Sequence, residues 1–78
     1  MTIEGILTDF EKSVSLMMNK PLKKEQRMIA DLNTKSMDYM MMCAVMEDNG
    51  AGHVDYGTLK KCETWGDILD TFAVLLRK

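Results

Sequence analysis

Residues 36–48 read Ser-Met-Asp-Tyr-Met-Met-Met-Cys-Ala-Val-Met-Glu-Asp, and this methionine-rich stretch decides the fold. Five of the nine methionines of the chain fall between positions 37 and 46. Apolar side chains at helical spacing predict a helix from about Ser36 to Asp48. We expect it to stop at Asn49-Gly50-Ala51-Gly52, because these residues tolerate left-handed backbone conformations.

The predicted helix is apolar nearly all round, so its side chains must be divided between a core face and an exposed face. One helix of a bundle this small cannot easily bury its whole circumference. The stripe assigned to the core consists of Tyr39, Met42, Cys43 and Met46. The stripe expected to be at least partly exposed consists of Met37, Met40, Met41 and Ala44. The alternative that all five methionines are core residues stays open, because methionine at helical spacing usually packs in cores.

Before this stretch, spacings of three and four predict a helix from about Thr2 to Met17, with Thr2 as its N-cap. Its inward residues are Ile3, Leu7, Phe10, Val14 and Met17. Pro21 ends the helix, because proline lacks a backbone donor. A long, locally basic connection follows, from Asn19 to Lys35, with a possible helical turn at Glu25–Met28. Its expected core contacts are Met28, Ile29 and Leu32.

After this stretch, two further helices are predicted. A short one runs from about Asp55 to Lys61, with Asp55 as N-cap and with Val54 and Leu59 facing inward. The last runs from about Thr64 to Arg77, opened by Thr64 with Asp67 three residues on. Its inward residues are Trp65, Ile68, Leu69, Phe72 and Leu76. No segment alternates with period two, so the prediction is an all-α, small four-helix bundle with three main helices and a short third one.

Composition narrows the class of protein. The 78 residues predict one domain spanning 1–78, and such a chain buries only about 60% of its unfolded surface, which disfavours a large enzyme pocket. A net charge of -2 gives no sign of nucleic-acid binding. No apolar run approaches a membrane span, so no membrane insertion is expected. Without a signal peptide, the two cysteines predict a reduced, cytoplasmic protein.

Catalytic patterns are nearly absent, which disfavours an enzyme. No nucleophile elbow, phosphate-binding glycine loop or carboxylate pair is found. A metal site can be imagined from Cys43, Cys62 and His53, but their spacing matches no zinc pattern and a fourth ligand would have to come from elsewhere, so no metal is expected. The two cysteines are better interpreted as small, partly buried apolar residues.

Ser36 is the informative residue, at the junction of the long connection and the methionine-rich helix. The simpler interpretation is a helix N-cap, because serine is among the preferred caps. A serine there is also presented to solvent at the positive end of a helix, which favours phosphate groups. The position therefore suits a serine that receives a phosphodiester from an external enzyme.

Nearly the whole chain resembles the acyl carrier proteins. Asp31-Leu32-Asn33 precedes Lys35-Ser36-Met37-Asp38, which stands where that family has Asp-Ser-Leu followed by an acidic residue. Ala44-Val45-Met46-Glu47-Asp48 is similar to the apolar-then-acidic end of the family's second helix. Thr64-Trp65-Gly66-Asp67-Ile68 is similar to the start of its last helix. Each motif is short, and their joint order and spacing carry the resemblance.

The resemblance implies a carrier, not a catalyst. Ser36, flanked by Lys35 and Met37, would be the attachment point of covalent 4′-phosphopantetheine. A phosphopantetheinyl transferase would add it from coenzyme A, and its thiol would carry acyl groups for fatty-acid or other lipid synthesis. Acyl-transfer, condensing or synthetase enzymes would be the partners of a monomer. Their expected binding residues are Met37, Asp38, Met40, Met41, Ala44, Glu47 and Asp48. The expected lining of an expandable acyl cleft is Tyr39, Met42, Met46, Val54, Leu59, Cys62 and Ile68.

Two positions depart from the family pattern. Lys35 replaces the usual Asp before the serine and reverses the charge beside it. Met40 and Met41 stand where acidic recognition residues are usual, which suggests a specialised carrier with dedicated partners. Two alternatives stay open: a peptidyl or aryl carrier of a peptide-synthetase or polyketide pathway, and an unmodified, carrier-like interaction module.

Overall fold

The computed structural model describes residues 2–77, and the predicted all-α class is confirmed for them. They form four α-helices without a strand, and none of these helices is long and apolar enough to cross a membrane. The helices are α1 (Ile3–Met18), α2 (Ser36–Met46), α3 (Tyr56–Lys60) and α4 (Trp65–Arg77). Helix α1 contacts α4 and α2, and α2 contacts α3.

Helix α1 begins as predicted, because the Gly5 N–H donates to Thr2 Oγ1 at 3.1 Å. It ends at Met18, and the C-cap residue Asn19 adopts a left-handed conformation with φ 55°. One expectation is wrong: Met17 is 39% exposed, whereas Met18 packs against the core. Helical spacing places these two side chains at similar angles on either side of the buried Phe10–Val14 line, so periodicity alone does not choose between them.

The connection between α1 and α2 is fastened to the start of α4. The Met28 N–H donates to Glu63 O at 2.8 Å, and the Trp65 N–H donates to Gln26 O at 2.9 Å. A Cβ at Gly66 would lie 3.1 Å from Lys24 O, a tight contact that would require the neighbouring backbone to shift by a few tenths of an ångström. The long segment is therefore ordered by backbone hydrogen bonds to a distant helix.

The helical turn of this connection lies later than predicted. The Leu32 N–H donates to Arg27 O, so the turn begins at Arg27 instead of spanning Glu25–Met28. Met28 and Leu32 are buried as expected, but Ile29 is 63% exposed, so its predicted core role is wrong. In a turn of helical pitch, residues four apart share the inward face and the residue next to Met28 points away.

Helix α2 ends two residues earlier than predicted, at Met46. The chain continues through one π turn, Glu47–Ala51, in which Gly50 has φ 97°. The Asn49 side-chain amide donates to Val45 O at 2.7 Å and so satisfies a carbonyl at the helix end. Within the segment 49–52, where the sequence predicts the end of the helix, Gly50 adopts the expected left-handed conformation as part of this π turn.

Helices α3 and α4 begin where the sequence places them. Asp55 Oδ1 accepts a hydrogen bond from the Gly57 N–H at 3.2 Å and caps α3. Thr64 and Asp67 form the reciprocal capping box of α4, with both hydrogen bonds at 3.2 Å. The caps of α3 and α4, like that of α1, therefore lie where the sequence places them.

The core joins α1 to α4 through aromatic side chains. Phe10 stacks on Trp65 at a centroid distance of 5.5 Å and meets the edge of Phe72 at 4.9 Å. Trp65 Nε1 donates to Glu11 Oε1 at 2.7 Å, which satisfies the buried indole. These two helices therefore form a frame on which α2 and α3 are placed.

Candidate functional site at the start of helix α2

Ser36 is the first residue of α2 and is exposed, but it is not the N-cap. Lys35 occupies the cap position in an extended conformation, with φ -108°. Its backbone N–H donates to Asp38 Oδ2 at 3.0 Å. The interpretation of Ser36 as a helix cap is therefore wrong, because Asp38 closes the helix start and leaves the serine hydroxyl out of the capping interaction.

The Ser36 hydroxyl has a partner that sequence analysis missed. The Tyr56 hydroxyl donates to Ser36 Oγ at 2.9 Å, across twenty residues of sequence. Tyr56 is the first residue of α3 and its ring meets Tyr39 edge-on, at 6.1 Å and 89°. No spacing or motif indicates this contact, because it depends on how the chain folds back after the π turn.

The exposed methionine face borders this serine. Met37 is 74%, Met40 61% and Met41 39% exposed, and Ala44 is exposed beside them. The opposite stripe is buried: Tyr39, Met42, Cys43 and Met46. The predicted division of the helix is thus confirmed, and the alternative that all five methionines are core residues is wrong. The docking role of the exposed face stays a prediction.

Helix α2 and the turn that follows it carry three acidic side chains. Asp38 is half-buried and Glu47 and Asp48 are exposed. Glu47 Oε2 accepts a hydrogen bond from the Val54 N–H at 2.9 Å and lies 3.5 Å from His53 Nδ1. From Ser36 to Leu59 the sequence holds no Lys or Arg. The stretch is therefore acidic, and the exposed Lys35 and Lys60 flank it in the sequence.

A shallow depression of about 260 Å³ lies beside the methionine face, between α2 and the start of α3. Its lining includes Met40 of the exposed face and Tyr56, the partner of Ser36. Val54 is the one residue of the predicted acyl cleft that also lines it. The full lining is Met40, Cys43, His53, Val54, Asp55 and Tyr56.

The predicted acyl cleft is closed in this structure. Six of its seven expected lining residues are at most 4% exposed and belong to one core cluster: Tyr39, Met42, Met46, Val54, Leu59 and Ile68. Cys62 is half-buried, with Sγ 3.5 Å from Thr71 Oγ1. An acyl chain would enter only if side chains or α3 moved, so the cleft stays a prediction.

The two thiols and Tyr39 are held in their neutral forms. Burial raises the pKa of Cys43, and the carboxylates of Glu47 and Asp55 raise it further. Burial also raises the pKa of Cys62, despite its hydrogen bond with Thr71. The pKa of Tyr39 is raised by burial. None of these groups is activated as a nucleophile, since the thiolate is the reactive form of cysteine.

Among residues 2–77, no group of three or more His, Cys, Asp or Glu side chains is arranged so that it could hold a metal ion. The conceivable ligands differ in their surroundings: Cys43 is buried, Cys62 half-buried and His53 exposed.

Comparison with known proteins adds nothing to this geometry, because no family model, curated protein or solved structure matches the chain. The function therefore has to be inferred from Ser36, its hydrogen-bond partner and the exposed face beside it.

Proposed function

We propose that the chain is an acyl carrier protein, with 4′-phosphopantetheine attached to the Ser36 hydroxyl. The observation that carries the proposal is the placement of that hydroxyl. It is exposed at the first residue of an 11-residue helix, it follows a long connection, and it takes no part in capping. The positive end of the helix favours the negative charge that a phosphodiester brings.

The chemistry requires little of the carrier itself. Ser36 Oγ attacks the phosphorus of coenzyme A that bears the pantetheine, and a new O–P bond forms. The bond from that phosphorus to the adenosine 3′,5′-bisphosphate leaving group breaks, and the serine proton passes to a base of the transferase. The thiol of the arm then carries the acyl group as a thioester.

The exposed methionines are proposed as the docking face for partner enzymes. Burial of one methionine side chain contributes about 1.5–3 kcal/mol, so Met37, Met40 and Met41 offer a substantial apolar contact. The neighbouring carboxylates would attract a basic partner. Since Met40 and Met41 replace expected acids, the proposed partners are dedicated ones, and a general fatty-acid synthase set should use this carrier poorly.

The modification is tested by intact mass after incubation with coenzyme A and a broad-specificity phosphopantetheinyl transferase. We expect the wild type to gain the mass of one arm and Ser36→Ala to gain nothing. Ser13→Ala is the matched control, because Ser13 is another exposed helical serine and its loss should leave the gain intact. A gain retained in Ser36→Ala, or no gain by the wild type with several transferases, contradicts the proposal.

A second candidate is an unmodified interaction module, and Lys35 is the observation that favours it. This exposed cation directly precedes Ser36, where transferases of the resembled family meet an acid. The wild-type mass separates the two candidates. An unmodified chain that still binds a partner through the methionine face would be the module. The peptidyl or aryl carrier alternative shares the Ser36 chemistry and differs only in its cargo.

A further inference from the structure

Tyr56 contacts the proposed attachment point directly. Its phenol is the hydrogen-bond donor to Ser36 Oγ, and the two side chains belong to different helices, α3 and α2. The ring is braced on one side by Tyr39, which is 2% exposed. On α3 itself, Lys60 Nζ lies 5.5 Å from the centroid of the same ring. The phenol is thus held in place by three neighbours.

We propose that Tyr56 positions the Ser36 hydroxyl for modification and then donates to the phosphodiester of the attached arm. This inference rests on the function proposed above. It assigns to α3 a direct role at the attachment point, in addition to any role in covering the interior.

Before transfer, the hydrogen bond selects one orientation of Ser36. A serine side chain has three staggered rotamers, and an exposed one samples them freely. Because Tyr56 supplies the proton of the shared hydrogen bond, the hydrogen of Ser36 remains available to a base of the transferase.

After transfer, the acceptor changes. Ser36 Oγ becomes the bridging oxygen of a phosphodiester and is a weaker acceptor than the charged non-bridging oxygens one P–O bond away. A hydroxyl already 2.9 Å from Oγ needs only a small rotation to reach one of them. A hydrogen bond to an ionised acceptor is shorter and stronger than a neutral one. Lys60 adds a positive charge on the same helix.

The test is Tyr56→Phe, which removes the hydroxyl and keeps the ring that Tyr39 and Lys60 contact. We expect the kcat of transfer from coenzyme A to fall about 3- to 10-fold with KM unchanged, since one hydrogen bond is lost. In the modified protein, we expect the ³¹P resonance of the arm to shift between wild type and Tyr56→Phe. Thr58→Val removes another exposed hydroxyl of α3 and should change neither quantity.

Each outcome has one meaning. Equal kcat values for wild type and Tyr56→Phe overturn the positioning role, and equal ³¹P shifts overturn the phosphodiester contact. A fall shared by Thr58→Val would show that damage to α3, not loss of the Tyr56 hydroxyl, is responsible. Absence of any mass gain by the wild type refutes the proposed function itself, which distinguishes that failure from the failure of this inference.

Discussion

Asp38 determines what the hydroxyl of Ser36 is free to do. Its carboxylate accepts a hydrogen bond from the backbone N–H of Lys35. It also places a negative charge in the first turn of α2, where the helix dipole favours such a charge. A serine one position earlier would have been drawn into capping. In this chain the capping and the exposed hydroxyl are separate groups, which leaves the hydroxyl to Tyr56 and to solvent.

Three weak acids, two of them buried and one half-buried, make the fold sensitive to high pH. Burial raises the pKa of Cys43 and Cys62 above the ordinary thiol value of 9.0, and that of Tyr39 above 10.0. The native state therefore holds these protons where the unfolded chain loses them. Stabilisation by these groups is complete below the ordinary values and declines as pH rises through them. We expect the free energy of unfolding, measured with urea, to be lower at about pH 10 than at about pH 8.

The control for this pH dependence is the triple variant Cys43→Ala/Cys62→Ala/Tyr39→Phe. Its overall stability is lower, but its loss between the two pH values should be smaller than that of the wild type. An equal loss in both proteins would show that other groups cause the pH dependence.

Helix α2 presents two faces of the same residue type, which allows a matched comparison. Met42 is 0% exposed, and Met40, two residues earlier on the opposite side of the helix, is 61% exposed. We expect Met42→Ala to lower the free energy of unfolding by about 2–5 kcal/mol, because it removes packed atoms and leaves a cavity. Met40→Ala should change it by less than about 0.5 kcal/mol.

Urea unfolding of both variants measures this difference. Similar losses would contradict the two-faced helix and restore the interpretation of α2 as a fully buried element. In that case the methionine face would also lose its proposed role in partner docking.

The existence and type of the helices and the caps of α1, α3 and α4 were predictable from the sequence because local rules set them, whereas the expected Ser36 cap of α2 is wrong. Thr2, Asp55 and Thr64 cap where expected, and the core stripe of α2 follows from spacing alone. Cap chemistry and hydrophobic period act within one or two turns, so one sequence is enough to detect them.

The errors lie where distant parts of the chain decide the outcome. Ile29 is exposed because the connection is fixed by hydrogen bonds to residues near the start of α4, which no local pattern reveals. The Ser36–Tyr56 contact depends on the path through the π turn. For the candidate site, the sequence therefore predicted the serine and the exposed methionines but not the hydrogen-bond partner of the serine.

In the molecule as a whole, the pair α1 and α4 is well packed and α3 is held by fewer contacts. The aromatic contacts of Phe10, Trp65 and Phe72 join α1 to α4, whereas α3 has five residues and one fully buried side chain, Leu59. Short helices with little buried surface open locally at low free energy. We expect amides of α3 to exchange with deuterium about 10-fold or more faster than those of α2 and α4.

Hydrogen exchange followed by NMR measures this difference amide by amide. The proposed acyl cleft requires α3 to open, because only then would the interior around Leu59 and Met46 become accessible. If α3 proved as protected as α2, the expandable cleft would be wrong, although the attachment of an arm at Ser36 would be unaffected.

The backbone of Met28 holds together the two ends of the segment 34–63 through hydrogen bonds. Its N–H donates to Glu63 O at 2.8 Å and its carbonyl accepts from the Thr34 N–H at 2.9 Å, so the segment that bears α2 and α3 leaves and returns at one residue. Loss of the Met28–Glu63 hydrogen bond would therefore release both ends of this segment at once. Because the buried side chains of α2 share one core cluster with Phe10, Trp65 and Phe72, that release would also reach the aromatic contacts between α1 and α4.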